Sequence, residues 1–155
     1  MSESGGDVVA PEGALADTGT LSLALLFTQA ERTVRHRLEP SLAAAGLTFD
    51  HWRIMTVLLA RPGIRMSAIA EEAVVPAASL TRHMDHLVER AMVVRRVDPN
   101  DKRRVVAALS PTGDELARRL RAEETVVEET IAEGLGERRF AALRRELSLL
   151  PHLFD

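Results

Sequence analysis

Apolar residues recur along this chain with two different periods. From Leu23 through Phe27, Ala30 and Val34 to Leu38 they fall three or four positions apart, which is one face of a long amphipathic helix. Thr20 or Ser22 is placed to cap that helix, Pro40 to kink it and Gly46 to end it. A second helix is expected from Asp50 as its cap through Trp52, Ile54, Met55, Val57, Leu58 and Leu59, stopped by Pro62-Gly63. Ser67 is expected to cap a short third helix carrying Ile69 and Ala70. Pro76 suits the first turn of a fourth, which runs to about Arg90 with Leu80, Met84, Leu87 and Val88 as its inner stripe. There the period changes. Met92-Val93-Val94 and Val105-Val106-Ala107-Ala108-Leu109 are rich in β-branched residues and flank a polar turn, which predicts a hairpin. Ser110-Pro111 opens a fifth helix with Leu116, Leu120, Val127 and Ile131, about 36 Å long at 1.5 Å per residue. Gly134 and Gly136 break it, and a last helix from about Glu137 carries Phe140, Leu143, Leu147 and Leu150.

This order predicts a mainly α fold with a small β-hairpin. Two short helices followed at once by a charged hairpin make a winged helix-turn-helix lobe, about residues 48–110, flanked by long N- and C-terminal helices over about 20–45 and 111–154. Residues 1–19, with five Gly or Pro and four acids, read as a disordered tail ahead of a single domain over 20–155. With no Cys there is no disulfide, thiolate metal site or thiol sensor. No stretch reads as a signal peptide or membrane span, so a cytoplasmic protein is expected.

Net charge complicates the picture before it helps. The whole chain carries −3, which argues against a polyanionic partner. Residues 77–109, however, hold seven Lys or Arg against four acids, a local +3 on a body of −6. Field and counterion release act over about a Debye length, so the local sign governs contact with DNA.

On the fourth helix the inner stripe leaves Ala77, Ala78, Ser79, Thr81, Arg82 and Asp85 on other faces. Small residues at a helix start allow close approach to a groove, hydroxyls bond bases or phosphates, and arginine pairs guanine bidentately. A solvated surface helix is the plainer alternative. His83 and His86, three apart, have metal-pair spacing, but no further ligand cluster accompanies them, so a packed or groove-facing imidazole is expected and no metal. His86 joins the candidate DNA-facing residues. In the turn Asp98-Pro99-Asn100-Asp101-Lys102-Arg103-Arg104, three consecutive cations follow Asp101. Pairing of Asp101 with Arg103 across the bent loop would hold Arg103 for entry into a narrow minor groove, with Lys102 and Arg104 on phosphates.

The stretch Leu80-Thr81-Arg82-His83-Met84-Asp85-His86-Leu87-Val88-Glu89-Arg90, then Val97 to Arg104, then Leu109-Ser110-Pro111-Thr112-Gly113, resembles the MarR family of bacterial transcriptional regulators. That family has a Thr-Arg recognition helix, an Asp-x-Arg-Arg wing and a Leu-Ser/Thr-x-x-Gly start to the next helix. The similarity extends over about Leu21 to Leu153. It implies a homodimer held by the first, fifth and sixth helices, palindromic double-stranded DNA sites, and a small phenolic or aromatic effector that releases DNA. Pairing of two chains would also cover the Leu21–Leu38 and Phe140–Phe154 stripes, which one small lobe cannot bury. Two positions depart from the family pattern. Val74 and Ala91 stand where glycine often supplies positive φ, and slightly different turns are expected there.

The family's effector pocket lies between the first helix, the second helix and the DNA-binding lobe, which makes Arg32, His36, His51, Trp52 and Met55 the candidates. Trp52 and Met55 would offer an apolar wall, and a His or Arg would bind a carboxylate or phenolate. The plain alternative puts Trp52 in the core and His51 at the surface. Enzymes are disfavoured: there is no phosphate loop, Gly-x-Ser-x-Gly elbow or His-Glu-x-x-His, and Asp50-His51 and Asp85-His86 are neighbours that do not face each other on a helix. The reading is a sequence-specific DNA-binding regulator, a ligand-responsive repressor without cofactor or catalytic residues. The rival is a winged-helix protein-interaction module that has lost DNA binding.

Overall fold

The computed structural model describes residues 19–154. Its elements run α1 (Leu23–Ala44), α2 (Phe49–Ala60), β1 (Ile64–Arg65), α3 (Met66–Glu72), α4 (Ala77–Glu89), β2 (Val93–Val97), β3 (Val105–Leu109), α5 (Pro111–Leu135) and α6 (Glu137–Leu149), closed by a 3₁₀ turn over Leu150–Leu153. The tail expected over residues 1–19 lies, apart from Gly19, outside the described residues. Among the described residues two compact units emerge: residues 35–124, and residues 19–34 together with 125–154.

The unit of residues 35–124 is built on the inner stripes. Leu42 of α1, Trp52, Ile54, Met55 and Leu58 of α2, Ile69 of α3, Met84 and Leu87 of α4 and Val93 of β2 are all essentially sealed from solvent. Burying nine such side chains is the main force holding α2, α3 and α4 together. The hairpin forms as expected, with Val93 opposite Leu109, Arg95 opposite Ala107 and Val97 opposite Val105. A third strand was not legible in the sequence. Ile64 and Arg65 pair antiparallel with Ala107 and Val106, giving the order β1-β3-β2, and two residues are too few to show alternation.

Several helix starts differ from expectation. Thr48, not Asp50, caps α2: its hydroxyl accepts the His51 N–H at 3.4 Å, and His51 Nδ1 accepts the Thr48 N–H at 3.0 Å. This is a capping box with histidine in the position usually held by Glu or Gln. Asp50 sits in the first turn instead. α3 begins at Met66, one residue before Ser67, with Arg65 at its cap and no side-chain cap bond. Pro76 is the cap residue of α4 rather than part of its first turn. Ser22 and Ser110 do cap, bonding the Leu25 and Gly113 amides. Pro40 lies inside α1, and Gly134 inside α5, which ends at the left-handed Gly136.

Three helices end in the same way. After α1, the amides of Gly46 and Leu47 reach back to Ala43 and Leu42. After α3, those of Val74 and Val75 reach Glu71 and Ala70, and after α4, those of Ala91 and Met92 reach Val88 and Leu87. Each is a Schellman motif, with a buried apolar residue (Leu47, Val75, Met92) following the left-handed one. The left-handed position is glycine only once: Gly46 has φ +70°, Val74 +53° and Ala91 +55°. The expected change of turn therefore does not occur, and the non-glycine residues take the left-handed geometry. For a β-branched residue this is costly. Val74 is 72% exposed and packs little. Val74→Gly is accordingly expected to stabilise the protein by about 0.5–1 kcal/mol, despite glycine's greater freedom when unfolded. An upward shift of the urea midpoint checks this, with a smaller gain for Ala91→Gly.

In the other unit, the Arg144 guanidinium of α6 pairs with Glu128 of α5 at 3.1 Å and lies 5.9 Å from the centre of the Phe140 ring. Much of its apolar surface is open. Leu23, Val126, Leu153 and Phe154 are each at least 60% exposed, and Leu21, Leu25, Phe27, Leu143, Leu147 and Leu149 are also exposed.

Candidate nucleic-acid interface

α4 presents one face to the core and another to solvent. Leu80, Met84 and Leu87 are buried, whereas Ala77, Ala78, Thr81 and Arg82 are exposed and Ser79 is half-buried. The Arg82 guanidinium has no partner among the described residues. Two alanines and a threonine beside a free arginine leave a low surface with one long donor, the shape a groove-reading helix needs.

At the wing, two aspartates fold the tip. Asp98 Oδ1 accepts the Asn100 N–H at 2.8 Å and Asp101 Oδ1 accepts the Arg103 N–H at 3.0 Å, two successive Asx turns. Backbone bonds from Asp98 N–H to the Arg104 carbonyl and from Arg104 N–H to the Asp101 carbonyl close the loop. The side-chain pair expected between Asp101 and Arg103 is replaced by another. Asp101 Oδ2 accepts from Arg104 Nε at 2.9 Å, because the Asx turn brings the third residue of the run back over the carboxylate and points the second away. Asp101 thus holds Arg103 through its backbone and leaves that guanidinium exposed and free, as is the Lys102 ammonium.

Sequence reasoning missed two cations. Arg65 and Arg96 both stand opposite Val106, one on each side of β3, so all three share a face of the sheet. Both arginines are exposed and unpaired among the described residues. Arg96 is one of the seven cations of residues 77–109, and its residue type alone does not mark it as unpaired. Arg65 had no signal, since β1 was not read as a strand.

Three histidines, His51, His83 and His86, pack against one another. His51, an effector candidate whose plain alternative was a surface position, is 6% exposed. The His86 ring stacks on it at 4.5 Å and 4°, and His83 meets it edge-on at 5.0 Å. His86 Nε2 donates to the Gly46 carbonyl at 3.1 Å, and His83 Nε2 lies 3.7 Å from Asp50 Oδ2. His86, a candidate DNA-facing residue, lines the same depression of α4 as Ala78, Thr81 and Arg82, while its ring also rests on His51 and the Gly46 carbonyl. Arg90 adds a bond to the Ala45 carbonyl at 2.8 Å, a cation at the negative end of a 22-residue helix. Burial, the neighbouring His86 and His83 and, more weakly, Arg90 push the His51 imidazole down to about 4, against an opposing pull from Asp50.

Of the five effector candidates, Arg32 falls in one unit and His36, His51, Trp52 and Met55 in the other. Trp52 and Met55 are core residues, Trp52 with its indole Nε1 at 3.5 Å from Glu124 Oε1. His51 is enclosed by the other histidines. His36 is exposed and paired with Glu39 at 3.0 Å. Arg32 is exposed. The groove beside the start of α2 is lined instead by Arg35, Glu39 and Ala43 of α1 and by Thr48, Phe49 and Asp50.

The geometry is matched by known proteins. The MarR family model matches residues 45–104, from the end of α1 to the tip of the wing. The transcriptional regulator HosA of Escherichia coli O111:H- is 30% identical over 125 residues, covering 80% of this chain and 88% of that one. The chain belongs to the MarR family. The HTH-type transcriptional regulator FarR of Neisseria gonorrhoeae is 28% identical over 134 residues, covering 86% and 92% of the two chains. The crystal structure of NadR in complex with 4-hydroxyphenylacetate superposes with a TM-score of 0.78 at 28% identity, covering 84% of this chain and 92% of that one. The MarR family is one of transcriptional regulators, and the mostly helical fold with its small antiparallel sheet is the family's winged helix.

Proposed function

We propose that this MarR-family regulator is a repressor that binds pseudo-palindromic DNA as a homodimer and responds to a small phenolic or aromatic acid. The observation that carries the DNA reading is the sorting of cations in the lobe. Arg90, Arg95 and Arg104 are tied to groups of the same chain, while Arg82 on α4 and Lys102 and Arg103 on the wing are exposed and unpaired. α4 would enter the major groove with Ala77, Ala78, Ser79, Thr81 and Arg82, and Arg103 the flanking minor groove, with Lys102 and Arg104 on phosphates. Two such helices would sit about 34 Å apart, one turn of DNA. The exposed leucines of α1 and α6 supply an apolar surface for a second chain. NadR's complex with 4-hydroxyphenylacetate supports the effector class, for which Arg32 and His36 are the solvent-exposed candidates. No helix among the described residues is long and apolar enough to cross a membrane, and the DNA-binding reading supports a cytoplasmic location. No catalytic role is proposed.

Fluorescence anisotropy with the DNA flanking its own gene tests this. Two chains should bind per site, and Arg82→Ala should weaken specific binding by about 1–3 kcal/mol if Arg82 takes a guanine edge. An equal loss on every sequence with a shallower salt dependence would make Arg82 a phosphate contact. No binding to any duplex, even in low salt, would favour a protein-interaction module.

A further inference from the structure

Asp85 is out of place on a helix that meets DNA. It lines the same surface depression of α4 as Ala78, Thr81 and Arg82. A bare carboxylate there would be repelled by phosphates. It is not bare: Arg95 of β2 donates to Asp85 Oδ1 at 2.6 Å. Strand alternation explains the reach. Arg95 stands opposite the buried Ala107, on the face of the sheet turned to the helices, whereas Arg96 stands opposite Val106 on the other face. Consecutive arginines of one strand therefore have different fates, Arg96 left free and Arg95 engaged with the recognition helix. The end of α4 is also fastened by His86 and Arg90 on the Gly46 and Ala45 carbonyls.

We propose that Asp85 and Arg95 are a positioning pair that sets the wing against α4, so that both reach one stretch of DNA together. The inference rests on the DNA-binding reading given above. Two contact points on one duplex reinforce each other only when their spacing matches the two grooves, because the second contact then forms at a high effective concentration. A pair between helix and strand sets that spacing without touching DNA.

The sign of one substitution separates this from simple charge. Asp85→Asn removes an acid facing phosphates, so electrostatics alone predicts tighter binding. The positioning pair predicts the reverse, a loss of about three- to fivefold on the cognate duplex, as much as a half-exposed ion pair can bias. Arg95→Gln should cause a similar loss, and the double variant no more than the larger single one. Arg95→Gln should leave the slope of log K against log salt unchanged, since Arg95 neutralises no phosphate. All three variants should melt within about 2 °C of the parent, the pair being worth little to overall stability. Tighter binding by Asp85→Asn, additive losses, or a slope reduced by about one for Arg95→Gln would each overturn the pair while leaving DNA binding intact. A parent chain that binds no duplex would defeat the DNA reading, and the pair with it.

Discussion

Gly113→Ala is expected to cost about 3 kcal/mol of folding free energy, although alanine is the better helix former by about 1 kcal/mol. Gly113 lies in the first turn of α5, and a Cβ built there would meet the Met92 carbonyl oxygen at 1.9 Å and its carbon at 2.8 Å. Neither side can easily retreat. The Met92 carbonyl also accepts the Ser110 N–H at 2.9 Å, and Met92 is the buried residue that closes the Schellman turn of α4. On the other side, Ser110 Oγ donates to the Ala91 carbonyl at 2.6 Å while accepting the Gly113 N–H. The start of α5 is thus fastened to the end of the recognition helix across a gap that only a hydrogen atom fits. A fall of about 10 °C in thermal midpoint is the expected result for a chain of this size. A Gly113→Ala protein that melts higher than the parent would mean that helix propensity wins and that the contact is not tight.

That contact gives physical content to the Leu-Ser-x-x-Gly motif at Leu109 to Gly113. What periodicity reports is burial, and the helices were legible because they bury continuous stripes. Leu80, Met84 and Leu87 on α4, and Trp52, Ile54, Met55 and Leu58 on α2, are the buried set. Polar commitments were less legible, because residue type names a capacity and not a partner. Asp50 and Thr48 are both good caps, and the backbone at Thr48, in extended geometry, decided between them. Asp101 was placed to orient an arginine, but the Asx turn, which the sequence does not display, chose Arg104 over Arg103. His86 has the same helical phase as a groove-facing residue, yet the end of α1, forty residues earlier, supplies the carbonyl that takes it. Val74 and Ala91 make the converse case: the fold kept the left-handed turn and the sequence abandoned its usual residue.

Acid is expected to weaken this protein through His51. In the folded chain the imidazole is neutral down to about pH 4, against 6.5 for an ordinary histidine, chiefly because burial penalises the charged ring and the flanking His86 and His83 oppose it. A group whose pKa falls on folding binds fewer protons when folded than when unfolded, so stability must drop as pH falls through the interval between the two values. His51's contribution is therefore complete above about pH 6.5 and lost progressively toward pH 4. The loss amounts to roughly 2 kcal/mol once solvent screening is allowed for. The geometry supplies the mechanism. Nδ1 must be unprotonated to accept the Thr48 amide, so protonation there also removes half of the capping box of α2. His51→Gln separates the titration from the cap, because glutamine at that position accepts the same amide and carries no proton equilibrium. The variant should match the parent to within about 1 kcal/mol at pH 7.5 and lose less stability between pH 6.5 and 4. Urea unfolding across that range reads the difference, and proton NMR of the His51 ring should show a midpoint near 4. Parallel pH profiles for the two proteins, or a ring that titrates at 6.5, would show that the cluster leaves His51 open to water.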